Sequence, residues 1–123
     1  YILKAMLSSR NRFHGHGSLR FVHANGSIVR SRFFVCKYST NPRRRTPRVA
    51  VVVSKKIVKS AVKRNRIRRR LYEAIRLELP KVREQSDIVF IVVSAEVLTA
   101  SSPDLVSAVG QAFNQAGLYN QAA

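Results

Sequence analysis

Charge is distributed very unevenly along this chain of 123 residues. Residues 1–72 contain twenty lysines and arginines and no aspartate or glutamate, whereas all six acidic residues lie in residues 73–123. Such one-signed charge repels itself in a folded protein unless a polyanion neutralises it. Nucleic acid is the polyanion that this pattern favours, because lysine and arginine gain affinity by displacing counterions from phosphates. A membrane surface is the weaker alternative.

The remaining composition indicates one folded domain. A hydrophobic content of 46% is that of a protein with a core, not of a disordered polycation. We expect a single RNA-binding domain over residues 1–123, with residues 1–12 and 118–123 extended or mobile. The longest apolar run, residues 88–93, is too short to span a bilayer, and the single cysteine, Cys36, excludes an internal disulfide. The N-terminal sequence is composed like an organelle transit peptide, but its lack of acid extends to residue 72.

Hydrophobic periodicity and turn residues predict an α+β fold, an α/β two-layer sandwich with one four-stranded sheet. The predicted element order is α-β-β-β-α-β-α. The runs at 48–54 and 87–95 are unbroken and apolar, which is typical of strands covered on both faces. The predicted elements are a helix at 18–26, strands at 28–29, 32–38, 48–54 and 87–95, a basic helix from 63 to 79, and a last helix capped by Ser102 and ending near Gly117.

The basic helix, KRNRIRRRLYEAIR from Lys63 to Arg76, combines dense positive charge with regularly spaced apolar residues. Residues three and four apart share a helix face, so the apolar residues form one stripe that we expect to pack on the sheet. The opposite stripe is predicted to display Asn65, Arg68, Arg69, Tyr72 and Arg76. A solvated structural face is the alternative, but this run lacks the interspersed acids of such faces. The pattern favours a preorganised phosphate-binding surface.

The residues around this helix resemble a known family. Ser54-Lys55-Lys56, a short spacer and then RNRIRR at residues 64–69 are similar to the signature of the bacterial ribonuclease P protein subunit. Asn11-Arg12-Phe13 also resembles an early family motif, and the order of elements agrees. The stretch from Met6 to Arg12 resembles a family N-terminus, so we expect residues 1–5 to precede the family's own start and to be unnecessary for RNA binding and stability.

This resemblance implies a basic subunit that joins a catalytic RNA and promotes Mg²⁺-dependent removal of the 5′ leader from precursor tRNA. The implied endoribonuclease is a ribonucleoprotein in the bacterial cytoplasm, whose RNA holds the Mg²⁺ ions, and the protein alone is not expected to be catalytic. The implied partners are ribonuclease P RNA and precursor tRNA, with neither DNA nor a membrane. The resemblance also implies a left-handed β-α-β crossover, whereas nearly all such crossovers in proteins are right-handed.

The implied site has two parts, an RNA-binding surface and a cleft for the leader. Tyr72 stands where the family commonly has arginine, and Leu19, His23 and Lys37 stand where it commonly has aromatic residues. The RNA-binding prediction comprises Lys55, Lys56, Lys63, Arg64, Asn65, Arg66, Arg68, Arg69, Arg70 and Tyr72. The leader-cleft prediction comprises Leu19, His23, Phe33, Val35 and Lys37.

Other chemistries have weaker support in the residues. Three histidines with no carboxylate in residues 1–72 are a poor zinc pattern, and Cys36 on a strand favours packing over nucleophilic chemistry. The loop at Arg43 to Arg45 is either an RNA contact or a solubilising tip. A ribosomal or other structural RNA-binding protein remains an alternative function, and a protein-only enzyme is a third.

Overall fold

The computed structural model describes residues 22, 26–43 and 46–120. In residues 26–43 and 46–120, one four-stranded sheet packs against two α-helices. The strands are β1 (Ser27–Arg30), β2 (Phe34–Thr40), β3 (Arg48–Val52) and β4 (Ser86–Val92). The helices are α1 (Ala61–Glu78) and α2 (Ser102–Ala116), with 3-10 turns at Leu79–Lys81 and Ala95–Leu98. Among the described residues, no helix has both the length and the apolar character needed to cross a membrane.

The strand order is β1-β2-β4-β3, with β3 parallel to β4 and the other two pairs antiparallel. β3, α1 and β4 therefore form a β-α-β crossover between neighbouring strands. The α+β architecture predicted from the sequence is confirmed, and the left hand of the crossover stays a prediction. The predicted helix at 18–26 lies almost wholly outside the described residues. Within it, Val22 is helical and fully buried, and its carbonyl oxygen accepts a hydrogen bond from the Gly26 N–H at 2.8 Å.

The core lies between one face of the sheet and the two helices. Alternation along the strands directs Phe34, Cys36 and Phe90 to this face, where all three are fully buried. The Phe34 and Phe90 rings meet edge to face with centroids 4.8 Å apart, and Phe90 meets Phe113 of α2 at 5.8 Å. These aromatic contacts join both central strands to α2, so the sheet and the helices pack as one unit.

The two apolar strands differ in their surroundings. β4 is central, and its neighbouring residues Ile88 and Val89 are both buried although they point to opposite faces. β3 is an edge strand with Val49 and Val51 buried, while Val52 is 41% exposed. The prediction that β3 is covered on both faces is therefore wrong, because an unbroken apolar run does not specify a strand's place in the sheet. β2 also begins two residues later than predicted, since residues 32–33 form a bend.

Capping residues explain where the helices begin and end. The Ser60 Oγ accepts a hydrogen bond from the Lys63 N–H at the start of α1, and Pro80 lies in the 3-10 turn that ends it. The predicted cap of α2 is wrong by one residue. Ser101 is the cap, and its Oγ accepts from the Asp104 N–H at 3.2 Å. Asp104 lies in the first turn with either cap, and there the helix dipole favours its negative charge. α2 ends at Gly117, as predicted, with a left-handed φ of 68°.

The segment after α2 is joined to the end of α1. Leu118 is buried, Tyr119 pairs with Val82 in an isolated bridge, and the Asn120 N–H donates to the Lys81 carbonyl at 2.7 Å. The other terminal residues that the sequence suggests to be extended or mobile, 1–12 and 121–123, lie outside the described part of the chain.

Candidate nucleic-acid interface

α1 is held against the core by its apolar stripe. Ile67, Leu71 and Ile75 have no exposed surface, and Ala74 is 3% exposed. This is the stripe that the sequence periodicity predicts, and the prediction is confirmed. A helix anchored in this way holds the backbone of its charged residues in one place, so a bound polyanion need not order that backbone.

Cations surround the first half of α1. Lys55, Lys56 and Lys59 are exposed in the loop before the helix, and Lys63 and Arg66 are exposed within it. The first turn contains no acidic residue, although the positive end of the helix dipole favours one there. Helix dipole and side chains thus add to the same positive potential, and an external phosphate at this end would interact favourably with both. Lys59 was not among the predicted site residues, although its position in the same loop could have indicated it.

Two of the arginines are held by backbone carbonyl groups. Arg64 Nη1 donates to the carbonyl oxygens of Val58 at 3.1 Å and Lys59 at 2.7 Å, which fixes the loop to the helix. Arg70 donates to the carbonyl oxygens of Val97, at 2.5 Å, and Ala100, which fixes α1 to the turn before α2. Both side chains keep their positive charge, but their hydrogen-bonding geometry serves the fold.

Two further arginines of α1 use side-chain N–H donors in hydrogen bonds to neighbouring side chains. Arg68 donates to the Asn65 side chain, and Arg76 donates to the Glu73 carboxylate at 2.5 and 3.1 Å. The Arg76 hydrogen bond lowers the pKa of Glu73, and the same bond raises the pKa of Arg76.

In contrast, Arg66 and Arg69 donate to no acceptor within the described ranges of the chain. All five N–H donors of each of these two guanidinium groups are therefore available to phosphate oxygens.

Tyr72 does not lie on the exposed face of α1, so its predicted position among the displayed RNA-binding residues is wrong. It is 8% exposed, and its Oη accepts a hydrogen bond from the Val51 N–H at 3.2 Å. The buried arc of α1 is wider than the apolar residues alone indicate, because β3 lies beside it and accommodates an aromatic side chain. The phenol can be buried there because its hydroxyl finds a backbone partner.

The second predicted region, the leader cleft, is only partly described. Leu19 and His23 lie outside the described residues. Val35 and Lys37 do share the sheet face opposite the core, where Lys37 pairs in register with Ile28 and Val89. All of these except Val89 are at least partly exposed. The strands therefore bring a lysine and apolar side chains together on that face.

Phe33 does not belong to the face that carries Val35 and Lys37, and its place in the predicted cleft is wrong. It is 3% exposed within the main core, beside Ala112 of α2, and the Arg32 guanidinium lies 4.7 Å from its ring centre. Strand alternation would place residues 33, 35 and 37 on one face. Phe33 precedes β2 and lies in the bend, so the alternation does not extend to it.

The sheet face that carries Val35 and Lys37 also has a buried carboxylate at one end. The sequence predictions do not include this residue among the site residues. Asp87 is 2% exposed, accepts a hydrogen bond from the Asn41 side chain at 3.1 Å, and lies in register with Ser39 and Arg48. The sequence offers only one signal for it, an acidic residue at the start of an apolar strand. Its partners on other strands become apparent only once the sheet is formed.

The described residues offer little for metal or thiol chemistry. Within residues 22, 26–43 and 46–120, no group of three or more His, Cys, Asp or Glu side chains is arranged to hold a metal ion. Cys36 is buried, and burial raises the pKa of its thiol to about 12. It therefore stays a neutral thiol at neutral pH, which agrees with the predicted packing role.

Known proteins resemble this chain in sequence. The chain is 43% identical over 76 residues to the ribonuclease P protein component of Roseiflexus sp. (strain RS-1), a match covering 62% of each chain. It is 35% identical over 100 residues to the ribonuclease P protein component of Caldanaerobacter subterraneus subsp. tengcongensis, covering 81% of this chain and 84% of that protein. The match to the Roseiflexus protein thus spans less than two thirds of that relative's length.

Solved structures show the same fold at lower identity. The Staphylococcus aureus RNase P protein is similar with a TM-score of 0.76 and 22% identity, covering 89% of this chain and 98% of that one. The Thermotoga maritima RNase P protein has a TM-score of 0.69 and 18% identity, covering 81% and 92%. The family model described as Ribonuclease P matches residues 7–117, nearly the whole chain. The chain therefore belongs to the ribonuclease P protein family.

Proposed function

We propose that this chain is the protein subunit of a ribonuclease P ribonucleoprotein, which removes the 5′ leader from precursor tRNA. In this role the protein binds the catalytic RNA through α1 and the loop before it, and binds the leader on the opposite face of the sheet. The observation that carries the proposal is the basic first half of α1, fixed to the core by Ile67 and Leu71 and displaying Arg66 and Arg69 without protein acceptors in the described residues.

Electrostatics supports an RNA partner for α1. The cluster from Lys55 to Arg70 contains no acidic side chain, so nothing within it neutralises the positive potential. Lysines and arginines of this surface that displace counterions from RNA phosphates would supply affinity with little sequence preference. Arg64 and Arg70 preserve the shape of the surface, because their bonds to backbone carbonyls hold the loop and the neighbouring turn in place.

The opposite face of the sheet supports a single-stranded ligand. Lys37 offers a charge for a phosphate, while Val35, Val52 and Ile91 provide partly exposed apolar surface beside it. A single strand presents both its phosphates and the faces of its bases, so it can use the two kinds of surface at once. The 5′ leader of a precursor tRNA is such a strand.

In this proposal the side chains that the protein offers decide what the protein and the partner RNA each contribute. The described residues offer no cluster of carboxylates for Mg²⁺, so we assign the ions to the partner RNA, where they would activate water and stabilise the leaving oxygen. The protein's contribution is to bind and orient both RNAs. We also propose that this work takes place in the bacterial cytoplasm, since the relatives described above are bacterial proteins.

Reconstitution tests the proposal. The full chain is combined with a bacterial ribonuclease P RNA, and the rate of leader removal from precursor tRNA is compared with that of the RNA alone at low Mg²⁺. We expect the chain to increase kcat/KM for precursor tRNA, and ribonuclease-treated chain without added RNA to cleave nothing.

Two results would contradict the proposal. One is a chain that leaves the RNA-catalysed rate unchanged. The other is cleavage that survives ribonuclease treatment and follows the protein through purification, which would indicate a protein-only enzyme. RNA copurifying with the chain adds a further check, because ribosomal RNA would favour the structural RNA-binding alternative.

A further inference from the structure

A groove of about 410 Å³ runs between α1 and α2 and continues the basic surface. Its volume is within the range of small-molecule sites, which are about 300–1,000 Å³. Apolar side chains from both helices form the floor and arginines stand at its rim. The floor residues are Ala74, Leu77, Leu105 and Val106, and the rim residues include Arg66 and Arg69.

Leu77 is the unusual member of this groove. It is 50% exposed, although it lies on the same helix as the cations and outside the buried stripe. One exposed leucine needs no explanation by itself. Here, however, it joins Val106 of the second helix and the buried Leu105 in one apolar surface. A flat, apolar ligand could therefore bury its surface in the groove, away from water.

The charges at the rim restrict the kind of ligand. Arg66 and Arg69 have no acceptor among the described residues, and they line the groove from the side of the basic surface. The Glu73 carboxylate also lines it. A phosphate lying on the floor would meet apolar carbon and a negative charge, which disfavours it. A ligand with an apolar body, N–H donors and flanking phosphates fits the apolar floor, the Glu73 carboxylate and the arginines at the rim.

The walls of the groove are held in position by contacts already described. Arg70 bonds to the carbonyl oxygens of Val97 and Ala100, which joins α1 to the turn that leads into α2. Arg76 holds the Glu73 carboxylate from the far side. The two helices therefore keep a fixed separation, and a ligand would enter a groove that already exists.

We propose that this groove receives the base of an unpaired nucleotide of the RNA bound by α1, with the adjoining phosphates on Arg66 and Arg69. The inference rests on the proposed function and adds a recognition element to it. An unpaired base can leave the stack, pack its face on the apolar floor and direct an amino group to Glu73. The groove is continuous with the basic surface, so one RNA strand can reach both.

The first test compares two exposed apolar residues. Leu77→Ser removes part of the floor, whereas Val93→Ser changes a 44% exposed residue directly after β4 that does not line the groove. Binding of a bacterial ribonuclease P RNA is measured at several salt concentrations. We expect Leu77→Ser to weaken binding about five- to thirtyfold with an unchanged salt slope, because an apolar contact with the base is lost and no phosphate contact is lost. Val93→Ser should bind within about twofold of the unmodified chain.

A second variant fills the groove without removing its floor. Ser102 is exposed at the groove's edge and is not the α2 cap, so Ser102→Trp should leave folding intact while it blocks the base. The same loss of affinity is expected. Chemical probing of the RNA should show a single unpaired base that the unmodified chain protects and that both groove variants leave reactive.

The outcomes separate this inference from the proposed function. If the unmodified chain fails to bind ribonuclease P RNA, the proposed function fails and the inference fails with it. If that chain binds and stimulates cleavage while both groove variants bind equally well, only the inference is overturned. A groove variant that loses a copurifying protein but keeps its RNA affinity would also overturn it, since the groove would then belong to a protein partner.

Discussion

The hydroxyl of Tyr72 accepts a hydrogen bond from the backbone N–H of Val51, 3.2 Å away, and so joins α1 to the edge strand β3. The bond lies in the core, where the Tyr72 side chain is 8% exposed. The helix that carries the proposed RNA-binding residues is thus attached to the sheet by a polar contact as well as by its apolar stripe. Proposed phosphate binding on one side of α1 and core packing on the other depend on different residues. Substitutions can therefore test binding and packing separately.

Tyr72→Phe tests this contact. The ring stays and the acceptor is lost, so the Val51 N–H is left buried without this partner at a cost of about 1–3 kcal/mol. We expect a lower free energy of unfolding and unchanged RNA affinity at a temperature where the variant is folded. A variant that melts like the unmodified chain would contradict the buried position of the hydroxyl.

Arg66→Ala combined with Arg69→Ala tests the phosphate-binding face. Neither side chain bonds to a described part of the protein, so folding should change by about 0.5 kcal/mol or less. RNA affinity should fall, and the slope of log affinity against log salt should flatten by about one to two units, at about 0.7–0.9 per lost phosphate contact.

The matched control for this pair is Lys81→Ala with Arg83→Ala, which removes the same charge beyond the end of α1. It should lower affinity less and leave the salt slope close to that of the unmodified chain. Equal effects of the two pairs would mean that the total charge, and not the face of α1, governs binding.

Leu71→Ala tests the anchoring stripe against an exposed leucine of the same helix. Leu71 has no exposed surface, so its truncation leaves a cavity that should cost about 2–5 kcal/mol of unfolding free energy. Leu77→Ala is the control, because Leu77 is 50% exposed and should lose far less. Denaturant unfolding of both variants measures the difference. Similar losses at the two positions would contradict the orientation of α1.

Tyr119 gives a prediction at alkaline pH. Its Oη donates to the Glu78 Oε1 at 3.0 Å, and burial, followed by this bond and the carboxylate's charge, raises the Tyr119 pKa to about 12. An unfolded tyrosine loses its proton near pH 10, so between about pH 10 and 12 the folded state holds the proton more firmly than the unfolded state. The stability contributed by this group is therefore present below pH 10 and is lost as the pH rises through 12.

Tyr119→Phe should remove that pH dependence. Its free energy of unfolding should be lower than that of the unmodified chain at neutral pH, because the hydrogen bond to Glu78 is lost. The difference between the two proteins should narrow from pH 10 to pH 12, and titrations common to both, such as that of Cys36, cancel from it. A difference that stays constant across this range would contradict the raised pKa.

Local patterns in the sequence were sufficient for much of the fold and the site. The spacing of Ile67, Leu71 and Ile75 predicts both the helix and its buried face, because a period of 3.6 residues follows from backbone geometry alone. Gly117 marks the end of α2 since its left-handed φ suits glycine. The concentration of cations in residues 1–72 and the family signature indicate a nucleic-acid partner before any contact is known.

Tertiary structure alone decided the features that depend on neighbours distant in the sequence. Tyr72 and Phe33 were expected at RNA-binding surfaces and are buried, because β3 and α2 supply partners that helix and strand periodicity do not contain. Asp87 acquires its surroundings only when the strands pair, and the groove beside Leu77 exists only when α1 packs against α2. Periodicity specifies which residues share a face of one element, whereas the packing of several elements decides whether that face is covered.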